Sequence, residues 1–324
     1  MKIYNYIVLA AAITIGLSSC NKDEDYSNVL PEGNIVKVDA NVRPMVKSST
    51  METTDLSEFG LFIENADDSR YSYSNYDVTK SAGETAWTTS EQMLWKSATQ
   101  MVTVYAYFPY TDAASLDATG VGVCANQSVE DSIKASDFLY SSSDVTPSVP
   151  VITNPVYYDK NSEALNVTLK HNFSKVIISL TLNDEFNYDP GTDKNPIDSV
   201  YVCGTDINAN FSIKDDVISD LSQTSYISAY NESYNRAEDL NGNATAVYEC
   251  IVIPQTIDAN NFSVEVYIDG KKHLWTDPSA VTFKSGKKNT LSLEVGDNLI
   301  NLLKDNISIT DWNKVDGIVD LGTD

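Results

Sequence analysis

Apolar and polar residues alternate with a period of two along most of this chain, the spacing of strands that bury one face. Val36, Val38, Ala40 and Val42 alternate with Lys37, Asp39 and Asn41. Val102, Val104, Ala106 and Phe108 share one face of the run from Met101 to Tyr110. Val167, Leu169 and His171 lead into Val176, Ile178, Leu180 and Leu182. Val247, Glu249, Ile251 and Ile253 alternate with Ala246, Tyr248, Cys250 and Val252. Val264, Val266 and Ile268 run up to Asp269-Gly270, a pair that tolerates the left-handed backbone of a tight hairpin. Leu291, Leu293 and Val295 follow a turn at Ser285-Gly286, and Ile307 and Ile309 form the last strand before Trp312. No stretch sustains a helical period, so only short helices are expected, such as one over Thr89–Trp95. The pattern is that of an all-β chain of sandwiches or barrels.

A composition shift divides the chain. Asn183 to Asp198 is rich in Asp, Asn, Pro and Gly, and strand patterning resumes at Val200. This places a break near residue 185 and predicts two β-sandwich domains, 34–185 and 186–324. A second polar stretch, Ser222 to Asn243, is Tyr-rich and is expected to be a loop of unusual length.

The N-terminus has a different logic. One positive charge, Lys2, precedes an apolar run from Ile7 to Leu17. A bilayer span needs about 20 apolar residues, so the run suits a cleavable secretory leader rather than a membrane helix. Leu17-Ser18-Ser19-Cys20 matches a lipobox: an aliphatic residue, two small residues and a thiol that can take a diacylglycerol. Residues 1–19 are therefore expected to be the signal peptide and Cys20 the lipidated first residue. Residues 20–33 form an acidic, flexible tether. Its opening, Asn21-Lys22-Asp23-Glu24-Asp25, resembles the surface-export signal of Gram-negative lipoproteins. The expected location is the outer membrane, surface-exposed and lipid-anchored.

Charge narrows the partners. The chain of 324 residues carries a formal net charge of −24, which repels nucleic acid phosphates and excludes nucleic acid as a partner. Lipidation of Cys20 leaves Cys124, Cys203 and Cys250. The last two lie in strand-like runs and fit either a bridge or two buried thiols, the second being favoured. There is no Cys-x-x-Cys pair, and the two histidines are far apart, so no metal site is assigned. No phosphate loop or other cofactor motif appears, and no cofactor is assigned. Nor is there a Gly-x-Ser-x-Gly elbow. His171 sits on the apolar side of its strand and is expected in a core, whereas His273, beside Lys271 and Lys272, is expected at the surface. No catalytic residue is assigned and the chain is not expected to be an enzyme. Trp87, Trp95, Trp275 and Trp312 could present rings to a sugar, although core packing is the favoured role. They carry the alternative function, a surface glycan-binding lipoprotein of a polysaccharide-uptake system.

Several segments, taken in order, resemble the fimbrillin family, subunits of type V pili and lipoproteins of Bacteroides-type bacteria. After the lipobox comes an extended stretch, Val38 to Thr54, and then Leu56-Ser57-Glu58-Phe59-Gly60-Leu61-Phe62. Trp95 precedes Val104-Tyr105-Ala106-Tyr107-Phe108-Pro109-Tyr110, which is similar to the family's aromatic strand. Leu169-Lys170-His171-Asn172-Phe173-Ser174-Lys175-Val176, Val252-Ile253-Pro254-Gln255-Thr256 and Ile307-Ser308-Ile309-Thr310-Asp311-Trp312 complete the set. The resemblance implies two tandem transthyretin-like β-sandwich domains and polymerisation by strand exchange. It also implies cutting by a surface protease of trypsin-like preference, which removes the first strand and opens a groove for a neighbour's donor strand. Val36, Val38, Ala40 and Val42 mark the exchangeable strand. The candidate cuts are Lys47 and Arg43, with Lys37 a further one; Pro44 disfavours Arg43. The implied partners are other pilus subunits, in a homo- or hetero-polymer, and a host or bacterial surface receptor.

Overall fold

Where apolar residues alternate, strands form. The computed structural model describes residues 34–43, 50–186, 194–237, 242–297, 300–303 and 307–312. The first half holds β1 (Lys37–Val42), β2 (Glu58–Glu64), β3 (Tyr73–Thr79), β4 (Thr88–Thr89), β5 (Val102–Phe108), β6 (Thr119–Gly122), helix α1 (Glu130–Ala135), β7 (Leu139–Val145), β8 (Val156–Asp159) and β9 (Ala164–His171). The second half holds β10 (Ser174–Leu182), β11 (Ile197–Ser212), β12 (Val217–Ser228), β13 (Tyr230–Asn235), β14 (Ala244–Val252), β15 (Gln255–Ile257) and β16 (Ser263–Ile268). It continues with β17 (Lys271–Thr276), β18 (Val281–Phe283), β19 (Lys287–Val295), β20 (Ile300–Leu302) and β21 (Ser308–Asp311). The protein is nearly all-β, with sheets stacked as sandwiches.

The first sheet runs β1-β9-β7-β5-β2-β3-β4, with β8 also on β9. Only Leu139–His171 and Tyr140–Lys170 join β7 to β9, so this link is a corner where the sheet folds over its own core. Leu61, Ile63, Val104, Ala106 and Leu139 fill that core with Val36, Val38, Val42, Val167 and Leu169. The opposite parity of the same strands is also buried. Phe62, Tyr105, Tyr107 and Tyr140 belong to the core of the second half. The β2-β5-β7 wall is thus apolar on both faces, which is why Phe59 to Ile63 and Val104 to Phe108 are nearly continuous apolar runs. Gly60 makes room for this: a Cβ there would lie 2.0 Å from Tyr107 Cε1. The Tyr107 hydroxyl donates to Asn75 Oδ1 at 2.7 Å.

The second half has a sheet β13-β14-β10-β19 continued by β20 and β21, facing a sheet β12-β11-β16-β17. Val176, Ile178, Leu180, Val200, Val202, Val264, Val266, Leu291 and Leu293 pack between them. β10, which precedes the composition shift near residue 185, pairs with β14 and β19, and β6 pairs with β11. The Asp/Asn/Pro/Gly stretch therefore connects two strands of the second half. Two buried amides stand in for backbone. Gln127 exchanges two 2.8 Å hydrogen bonds with Ile251 N and O, tying a first-half loop to β14. Gln255 accepts from Asp206 N at 2.9 Å and donates to Asp206 O at 3.0 Å, beside the β11 irregularity at Gly204. Lys175 and Glu249 form a buried ion pair of 2.6 Å across β10 and β14.

Three expectations are corrected. Thr89–Trp95 is not a helix: Thr89 ends β4, Leu94 makes an isolated bridge to Ile35, and Met93 and Trp95 are buried two residues apart. Over Ser222–Asn235, within the stretch expected as a loop, the chain is not a loop, because β12 and β13 cross it as polar strands held by ladders to β11 and β14. On β14 the inward residues are Ala244, Ala246, Tyr248 and Cys250, and the opposite side holds Glu249 for Lys175. His273 is buried, not exposed. The Asp269-Gly270 turn, with φ of 49° and 73°, sets β17 in register so that Val266 faces His273, and Leu274 is turned outward. Cys203 and Cys250 are buried free thiols.

Burial, then the charge of Lys271, push the His273 imidazole below its ordinary value. Unfolded His273 titrates near about 6.5, so below that pH the unfolded chain binds more protons and the fold loses stability as pH falls. Urea denaturation at pH 7 and pH 5 should show a smaller acid loss for His273→Asn than for the unmodified chain. An equal loss in both would remove His273 from the acid response.

Candidate functional site

The strand β1 lies at the edge of the first sheet and pairs in parallel with β9, from Lys37–Ala164 to Val42–Leu169. Its pleat puts Val36, Val38, Ala40 and Val42 into the core, at 4%, 8%, 5% and 1% exposure, and turns Lys37 and Asp39 to solvent. Each buried valine contributes about 1.5–3 kcal/mol, so the register of this strand is fixed. Lys37 reaches Glu163 at 3.7 Å, an exposed pair of little weight.

The outer edge of β1 is only partly covered. Ahead of the strand, Ile35 bridges to Leu94, Val36 N donates to Met93 O at 3.0 Å, and Trp95 N donates to Asn34 O at 2.7 Å. Past that clasp an open groove of about 780 Å³ runs between β1 and the segment from Thr85 to Met93. At the other end, Arg43 is exposed, but its N–H donates to Leu169 O at 2.8 Å, which holds the backbone in the ladder. Thr53 Oγ1 donates to Val42 O at 3.1 Å and accepts from Val42 N at 3.0 Å. Lys47 and Cys20 lie outside the described residues.

Where β1 ends, a buried polar junction begins. Both Asp137 and His171 side chains are fully buried, with His171 Nδ1 2.9 Å from Asp137 Oδ2 and 3.0 Å from Oδ1. Two acceptor oxygens on one ring nitrogen require that Nδ1 carry the hydrogen. Asp137 Oδ2 also accepts from Met51 N at 3.1 Å. The other face of the imidazole system is covered by Trp312, stacked at 4.4 Å between centroids and 8° between planes. Trp312 N donates to Gly286 O at 2.8 Å, at the end of β21 on β19. One carboxylate thereby joins the chain after β1, the end of β9, the start of β7 and the last described strand. The sequence motif holding His171 marked this residue; Asp137, three residues past an Asp-Ser-Ile-Lys run without periodicity, gave no signal of its own.

Other chemistry is absent from the described residues. No group of three or more His, Cys, Asp or Glu could hold a metal there, and no helix among them is long and apolar enough to cross a membrane. Trp95, Trp275 and Trp312 are buried, so three of the four tryptophans present no ring to a sugar. Trp87 is half-buried against Phe59, with Lys80 Nζ 4.7 Å above its ring.

The site is an edge strand whose alternate side chains fill the core, with a buried polar junction at its end. The Fimbrillin-like family model matches residues 46–312, and the chain belongs to that family, one of structural and adhesion proteins rather than enzymes. No curated protein matches the chain. A candidate cell adhesion protein from Bacteroides uniformis has a similar structure, with TM-score 0.57 and 16% identity, covering 87% of this chain and 100% of that one. Another from Bacteroides ovatus has TM-score 0.57 and 14% identity, covering 86% and 97%. A fimbrial protein from Bacteroides vulgatus has TM-score 0.51 and 15% identity, covering 86% and 99%. At these identities the likeness shows a shared fold.

Removing Asp137 as Asp137→Ala should leave the Met51 and His171 donors buried, at roughly 1–3 kcal/mol each. Urea unfolding should report that loss, and limited proteolysis should cut faster near residues 50–57. A variant as stable and as resistant as the unmodified chain would deny the junction its structural role.

Proposed function

We propose that this chain is a surface-exposed lipoprotein, anchored through Cys20, and a structural subunit or adhesin of a pilus assembled by strand exchange. The observation that carries the reading is β1 itself. It is an edge strand whose ladder partner among the described residues is β9, and its alternate side chains fill the core. Such a strand can leave without tearing a sheet in two. Its loss would expose a row of β9 backbone groups and apolar pockets of matching spacing, a receptor for any strand with the same alternation.

The cut has to fall between β1 and Met51. Arg43 is disfavoured twice, by Pro44 and by its backbone bond to Leu169. Lys47 then remains the candidate. A cut there would release the anchor and β1 together while Met51 keeps its bond to Asp137. The partners in this reading are further pilus subunits and a surface receptor. Two units remain part of it, and strand pairing supports a hand-over at Asn172 and Phe173, between β9 and β10.

Two experiments test this. Replacing Cys20 by Ala should abolish palmitate labelling and release the protein from membranes; persistent labelling places the lipid elsewhere. Deleting residues 34–47 should lower the melting temperature, as should Val38→Asp, which sets a carboxylate in an apolar pocket. Trypsin-treated full chain should then form ladders or filaments by electron microscopy, and an added peptide of alternating apolar residues should restore stability. An unchanged melting temperature after the deletion would sink the strand-exchange reading.

A further inference from the structure

The sheet β12-β11-β16-β17 buries one face and shows water the other. Val200, Val202, Ile227, Val264 and Val266 are fully buried on the inner side. Parity then sends Tyr201, Tyr226 and Tyr267 outward on three neighbouring strands. Cross-strand register sets Tyr201 opposite Glu265 and Ser228, Ser199 opposite Tyr267, and Tyr267 opposite Lys272. The tyrosines therefore make one diagonal band, interleaved with carboxylates, hydroxyls and an ammonium.

The band is shallowly hollowed and open to water. A groove of about 600 Å³ runs over Tyr201, Tyr226 and Tyr267, with Asp198, Glu265 and Lys272 at its sides. A second hollow of about 690 Å³ shares Asp198, Ser199 and Tyr201 and continues past Asn126, Asn195 and Asn231. Tyr226 is 60% exposed, far more than aromatic packing needs. Tyr201 and Tyr267 stand 5.8 Å apart at 85°, so one ring offers its edge to the other's face.

The polar groups are prearranged. Glu265 accepts from Tyr267 Oη at 3.1 Å and from Lys272 Nζ, so its charge is compensated. Asp198 Oδ2 accepts from Gly270 N at 2.8 Å, which fixes the carboxylate at the rim. Ring faces alternating with hydrogen-bonding groups match a pyranose, whose C–H face is apolar and whose hydroxyl edge both donates and accepts. Three features narrow the ligand. Two adjoining hollows suit several consecutive rings. The groove has one basic residue, already paired, and the chain carries a net charge of −24, so an acidic glycan is disfavoured. On the second hollow Asn126 is exposed, an amide that suits neutral hydroxyls.

We propose that this groove is a binding site for neutral oligosaccharides, stacked on Tyr201, Tyr226 and Tyr267 and hydrogen-bonded by Asp198 and Asn126. It shares no residue with β1, β9 or the Asp137 junction, so it stands apart from the reading of the chain as an exchangeable subunit. It is also distinct from the tryptophans, which are mostly core.

Isothermal titration of the full chain tests the site with maltohexaose, mannohexaose, xylohexaose and chitohexaose, and with hexagalacturonate as the acidic comparison. At least one neutral hexasaccharide should bind, and hexagalacturonate at least about ten-fold more weakly. Tyr226→Ala should weaken binding by about ten-fold or more, while Tyr226→Phe keeps the ring and most of the affinity. Because Tyr226 is exposed, the melting temperature of Tyr226→Ala should match the unmodified chain. Tyr267→Ala gives a second removal of a ring. Binding of no neutral hexasaccharide, full affinity in Tyr226→Ala, or tighter binding of hexagalacturonate would each overturn the proposal. So would titration heats that come only from self-association of the chain.

Discussion

The β2-β5-β7 wall, apolar on both faces, is the constraint from which the rest of this molecule follows. A sheet with one wet face needs only one partner layer. This one must be covered twice, by β1, β8 and β9 on one side and by the second half on the other. Phe138 lies 4.9 Å from Phe211 and 5.2 Å from Phe173, and the Tyr140 hydroxyl donates to Ile213 O at 2.6 Å. Close-packed aromatic contacts of that kind resist sliding, because their lining atoms have no alternative partners. The two halves are consequently held through a shared wall rather than a linker.

That wall also explains where function can reside. Its faces are committed to packing, so only the rims and the outer faces of the flanking sheets are free. β1 occupies one rim and adds to the core without being needed to connect it. The Asp137 junction sits at the end of the same rim and fastens the segment that follows β1. β1 precedes residues 44–49 in the chain, and the segment fastened through Met51 follows them.

Much of this was legible in the sequence. Period-two alternation named the inward face of β1, the strands around Val104 and Leu169, and the hairpin at Asp269-Gly270. His171 in a core followed from parity. What escaped has common physical causes. β12 and β13 carry few apolar residues, and their strand character comes from ladders to β11 and β14, which composition does not encode. His273 looked exposed because its neighbours are lysines, yet the hairpin register turns it inward and leaves Leu274 outside. The Asp137 junction depends on residues far apart in sequence, Met51, Asp137, His171 and Trp312, and no local window contains more than one of them.

The remaining edges show why β1 differs. β4 is two residues long, β17 opens with Lys271 and Lys272, and β13 has a register shift between Asn231 and Ser233. β12 is long, but irregularities facing Asn208 and positive φ at Asp220 and Gln223 break its line. Short, charged or bulged edges refuse a further strand, which is how β-proteins avoid unplanned association. β1 is neither short nor bulged: it is regular over six residues, with Lys37 and Asp39 as its charged side chains. Its outer edge is covered by the clasp of Asn34 and Val36 on Met93 and Trp95 and by the Thr53 hydroxyl on Val42, a few hydrogen bonds and no bulge. Of these edges, β1 alone combines a regular run of six residues with side chains that fill a core.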